Sequence, residues 1–116
     1  MSALSFFRLL WLRMSNPTIT GLEVRGVRVP LEPPHRTASG IITESPLVLT
    51  DVTTSSGFVG HSLIFTYAVA ALKPTADLIK NIAPMIAGDA LAPTDVYDKL
   101  AKRFRLLGMQ GWSQWR

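Results

Sequence analysis

The chain has 116 residues, 47% of them hydrophobic and 17% charged, with no cysteine and a formal net charge of +4. That is the size and make-up of one globular domain and does not suggest disorder, and the lack of cysteine excludes disulfides, thiolate metal sites and thiol catalysis. The basic balance does not point to nucleic acid. Without Arg8 and Arg13, ten basic residues stand against eight acidic ones, and Lys99, Lys102, Arg103 and Arg105 lack the interleaved glycines and aromatics of a stacking platform. A chain without cysteine suits a reducing compartment, and a cytoplasmic protein is expected.

Residues 1–13 are apolar but broken by Arg8 and too short to span a bilayer. Two readings stay open for this leading segment, residues 1–14. One is an amphipathic surface anchor, with Phe6, Leu9 and Leu10 at helical spacing. The other, which is preferred, is a start placed too early, with Met14-Ser15-Asn16-Pro17 opening the domain proper over 15–108. Ile19 to Leu31 alternates and predicts a first strand ending near Pro30, because an interior proline costs a ladder hydrogen bond. Glu32 to Ser45 carries Pro33, Pro34 and Gly40, which predicts a long loop.

Pro46 to His61, PLVLTDVTTSSGFVGH, predicts two strands on a tight Ser55-Ser56-Gly57 turn. From Val69 the period becomes helical through Ala71, Leu72, Leu78, Ile79 and Ile82, with Pro74 expected in the first turn. Pro84 and Gly88 then predict the end of that helix. A second helix is expected from Thr94 or Asp95 as N-cap, with Val96, Tyr97, Leu100, Ala101 and Phe104 on its apolar face. The expected fold class is α+β: a three-stranded antiparallel β-meander followed by two or more helices.

No catalytic constellation stands out. His35 and His61 lack carboxylates at ligand spacing, and Asp77, Asp89, Asp95 and Asp98 read as caps and solvated positions, so no metal or catalytic residue is assigned to this chain. The residues alone describe a small domain without an active site of its own.

Ile19 to Gly108, about three-quarters of the chain, resembles the amino-terminal capping domain of the enolase superfamily, in the mandelate racemase and muconate lactonizing enzyme branch. The resemblance lies in ITGL, RVPL, PLVLTDVTTSSGFVGHS, Phe65-Thr66-Tyr67, Ala71-Leu72-Lys73, and LAP followed by LAKRF, in that order. It implies a cap over a (β/α)-barrel that supplies Mg²⁺ ligands and the bases abstracting the proton α to a carboxylate. It also implies a racemase or acid-sugar dehydratase acting on a 2-hydroxy acid or acid-sugar substrate. A barrel needs on the order of 250 residues, so this chain alone is expected to be inactive and to hold no cofactor. Its partner would be the barrel domain, and its apolar surface is expected to self-associate.

Residue by residue, the resemblance places His35, Ile42, Phe65 and Tyr67 at the substrate pocket of the intact enzyme. His35 and Ile42 lie in a flap, Glu32 to Thr43; Phe65 and Tyr67 lie in a second loop, Leu63 to Ala68. His35 departs from the pattern, putting a polar ring where the racemase has a small aliphatic residue. Core packing for Phe65 and Tyr67, and plain loop positions for His35 and Ile42, remain the alternative. The tail 109–116 departs from the family as well. Trp112-Ser-Gln-Trp-Arg116 can be written TGG TCG CAA TGG CGN, which one base out of frame reads Leu-Val-Ala-Met-Ala, so a frameshift is the expectation there. The rival from another class is a stand-alone binding module, associated with a membrane surface through residues 1–13.

Overall fold

The computed structural model describes residues 2–15 and 17–107. The side chains of Leu9 and of residues 11–15 lie outside the described residues, as do Gly108 and the tail 109–116 to which the frameshift reading applies. Strand β1 (Ile19–Thr37), strand β2 (Gly40–Thr54) and strand β3 (Val59–Phe65) form an antiparallel sheet in the order β1-β2-β3. The register sets Val24 opposite Thr50, Gly26 opposite Val48, and Val48 opposite Ile64.

Strand alternation sends Leu22, Val24, Val48 and Thr50 to one face, and helix α2 (Val69–Lys80) covers it. Val24, Val48 and Ala76 form the buried core, with Leu22, Leu72 and Ile79 packed around them. A Cβ on Gly26 would stand 3.3 Å from the Leu72 Cγ, so the bare backbone there is what lets the helix come this close. Strands followed by helices, with one sheet face covered, is the α+β arrangement expected from the sequence.

The hairpin between β2 and β3 turns where the sequence places it. Gly57 has φ 86°, its N–H donates to the Thr54 carbonyl at 3.1 Å, and the Thr54 hydroxyl donates to the Phe58 carbonyl at 2.9 Å. After α2 comes helix α3 (Ala83–Ile86), a single turn with Pro84 at its start. Gly88 then takes φ 84° and the chain runs back beside the beginning of β1. There the Ile19 N–H donates to the Asp89 carbonyl and the Gly88 N–H to the Ile19 carbonyl, both at 2.8 Å. Helix α4 (Pro93–Arg103) follows, tied back by Lys99 to Asp89 at 2.7 Å.

Six local expectations are corrected. The first strand does not end at Pro30, and Glu32 to Ser45 is not a loop: β1 runs on to Thr37 and pairs with β2 in a ribbon that turns at Ala38 and Ser39. Prolines are tolerated because β1 is an edge strand, and Leu31 to Pro34 stand opposite Thr43 alone, a local break in register. The second loop is shorter than Leu63 to Ala68, since β3 continues through Phe65. Pro74 lies beyond the first turn of α2, because the helix already starts at Val69. The N-cap of α4 is Ala92 without a side-chain bond; Pro93 takes the first helical position, where its missing N–H is harmless. Tyr97 is 66% exposed and outside the packed face of that helix, which buries no residue fully.

The leading segment forms helix α1 (Ala3–Ser15). The radius of gyration is 18.9 Å, where a compact chain of this length has about 13 Å. Much of the molecule therefore projects from the small core.

Candidate functional site

The four residues singled out by the sequence meet as two pairs. His35 and Ile42 are register partners across the β1–β2 ribbon. The ribbon's tip is fixed by Thr37, whose hydroxyl donates to the Gly40 carbonyl at 3.0 Å and accepts from the Ser39 N–H at 3.2 Å. Phe65 and Tyr67 have ring centroids 4.3 Å apart at an interplanar angle of 41°. Tyr67 has φ 58°, a left-handed conformation rare for an aromatic residue, which turns the chain sharply from β3 toward α2. The Thr66 N–H donates to the Pro46 carbonyl at 3.0 Å and holds this exit against β2.

Both pairs lie at the same end of the sheet. Phe65 is opposite Leu47, and Ile42 lies five residues before Leu47 on β2, about 16 Å along the strand. They remain two separate pairs rather than one cluster. Phe65 is half-buried and Tyr67 is 62% exposed, so burial in the core accounts for neither ring fully.

A third grouping escaped the sequence reading. On the sheet face away from α2, Asp51 accepts from Arg25 at 2.7 Å through one carboxylate oxygen and from His61 Nδ1 at 2.7 Å through the other. A carboxylate only accepts, so His61 carries its proton on Nδ1. The hairpin register alone would have found it, since a turn centred on Ser56 sets Asp51 opposite His61. The His61 hydrogen bond, with Arg25 adding its charge, holds the Asp51 carboxyl below its usual pKa. Arg28 does the same for Glu44, chiefly by hydrogen bonding.

A carboxyl whose pKa is lowered by folding contributes stability above its unfolded pKa and loses it as pH falls through the folded value. Asp51→Asn should therefore flatten the dependence of stability on pH below about pH 4. Urea midpoints taken from pH 3 to pH 7 check this; unchanged acid dependence would show that the row contributes nothing.

Among the described residues no group of three or more His, Cys, Asp or Glu side chains could hold a metal ion. The donor set therefore does not fit the Mg²⁺ that the fold resemblance implies, and no step through that ion is derived from these residues.

Comparison with known proteins agrees with this fold. Residues 19–111 match the model of the mandelate racemase / muconate lactonizing enzyme family, N-terminal domain. Among solved structures, an enolase from Bradyrhizobium complexed with magnesium and mandelic acid is 45% identical, with a TM-score of 0.75 over 82% of this chain and 26% of that one. An enolase from the alpha proteobacterium bal199 with bound Mg is 30% identical, with a TM-score of 0.72 over 79% of this chain and 25% of that one. The chain thus spans about a quarter of the length of these relatives. With its meander, its covering helices and a family match across most of its length, this chain belongs to the mandelate racemase / muconate lactonizing enzyme family of the enolase superfamily, as an amino-terminal capping domain.

Proposed function

We propose that this chain is the substrate-specificity cap of an enzyme that abstracts the proton α to a carboxylate with Mg²⁺, as a racemase or acid-sugar dehydratase. The β1–β2 ribbon carrying His35 and Ile42, and the β3 exit carrying Phe65 and Tyr67, would close over the substrate held by a barrel. Metal ligands and bases would belong to that barrel, so the cap by itself would be an inactive unit of a cytoplasmic enzyme. The observation that carries the reading is the 45% identity, over 82% of this chain, to an enzyme that holds magnesium and mandelic acid.

The test is a fusion in which residues 17–107 replace the matching cap of the Bradyrhizobium enzyme. The fusion is expected to bind mandelate with Mg²⁺ and to exchange its α-proton in D₂O, followed by NMR, while this chain alone does neither. A folded fusion that leaves mandelate unbound, beside an intact enzyme that binds it, would remove the reading.

A further inference from the structure

Helix α1 precedes the family match, which begins at residue 19, and the proposed function does not use it. It is a well-started helix: the Ser2 hydroxyl and carbonyl accept from the N–H groups of Ser5 and Phe6. Leu4 is 82% exposed, Phe7 71%, Phe6 60% and Leu10 42%. At 3.6 residues per turn these four fall within an arc of about 160°. Among the described side chains, Ser2, Ser5 and Arg8 lie on the remaining arc, to which the sequence also assigns Leu9 and Leu12, so the apolar surface is concentrated on the first arc and not confined to it.

We infer that α1 is an interfacial anchor that lies along an anionic phospholipid surface. Length is the first argument: its 13 residues extend about 20 Å, short of the ~30 Å hydrocarbon core. Consistently, no described helix is long and apolar enough to cross a membrane. Charge is the second. Residues 1–22 contain Arg8 and Arg13 and no acidic residue, Glu23 being the first. An apolar stripe beside unopposed cations is the pattern that binds anionic headgroups while burying rings at the acyl boundary.

Placement is the third argument. The helix joins β1 at Ile19, which pairs with Thr54, whereas the ribbon and Phe65 occupy the opposite end of the sheet. An anchor at Ile19 therefore leaves the candidate substrate end free.

The full chain is co-sedimented with vesicles of equal phosphatidylcholine and phosphatidylglycerol, and with pure phosphatidylcholine vesicles. Binding to the anionic vesicles should be at least ~10-fold tighter than to the neutral ones. Phe6→Ser/Phe7→Ser should lower it ~10-fold or more, and Arg8→Glu about 30-fold for a change of two charges near the surface. Circular dichroism should stay that of the folded cap in each variant, because these side chains are exposed. Absence of binding, equal binding to both vesicles, or binding that survives these changes and disappears with Lys102→Glu/Arg103→Glu would each overturn the inference. A lipid-free dimer that leaves vesicles unbound and is dispersed by the Phe6→Ser/Phe7→Ser change would overturn it too, assigning the stripe to self-association.

Discussion

Val48→Asp should abolish the cooperative unfolding transition of this domain. Val48 is completely buried between the sheet and α2, against Val24 and Ala76. A carboxylate there has no partner, and an unpaired buried charge costs several kcal/mol. A domain of this size has only about 5–15 kcal/mol in total, and its core is small. Val48→Ala should cost about 1–3 kcal/mol and leave the transition visible at a lower midpoint. Leu63→Asp sits on the uncovered sheet face, where Leu63 is 62% exposed, and should shift stability by no more than ~0.5 kcal/mol. Far-UV circular dichroism during urea titration separates the three outcomes. A cooperative Val48→Asp variant would mean that α2 does not seal this face.

The second large effect concerns the proposed substrate end and is read in the barrel fusion. Tyr67→Ala removes an exposed ring that packs at a tilt against Phe65, so folding should persist. If the ring lines the pocket as proposed, its loss should lower kcat/KM for mandelate by about 2–12-fold, as expected for an aromatic contact of roughly 0.5–1.5 kcal/mol. His35→Val should act in the opposite direction. An apolar residue opposite Ile42 suits a phenyl ring better than an imidazole that must shed water, which corresponds to about a 3–10-fold gain. If Tyr67→Ala leaves kcat/KM unchanged, the Phe65–Tyr67 pair is packing and does not shape the pocket.

Much of this fold is legible from local pattern. The Pro46–His61 hairpin follows from period-2 alternation and a glycine able to take φ 86°. Helix α2 follows from its apolar spacing, but it ends at Lys80, ahead of Pro84, which opens α3, and Gly88 follows that turn. The ribbon was not legible. Three prolines and a glycine between Pro30 and Gly40 are ordinary loop signals, and nothing local reveals that the strand they interrupt lies at a sheet edge. The N-terminus of α4 was misplaced for a related reason: Thr94 and Asp95 carry capping chemistry, but Pro93 already fits the first helical turn.

The candidate site divides in the same way. Resemblance picked out His35, Ile42, Phe65 and Tyr67 one at a time, and strand register paired the first two while a left-handed Tyr67 brought together the others. In the Arg25–Asp51–His61 row the Asp51–His61 pair follows from the hairpin register about Ser56, whereas Arg25 joins it only through the pairing of β1 with β2.

By itself, then, the sequence determined the class of fold, the central hairpin, the main helix and the family, because each rests on periodicity, turn chemistry or ordered motifs within a few residues. Tertiary structure decided the rest. Pairing β1 with β2 on one side only turned a proline-rich stretch into a ribbon, since an edge strand does not need every N–H to be bonded. Sheet register then decided which side chains became neighbours, because residues far apart in the chain meet only once the strands are aligned.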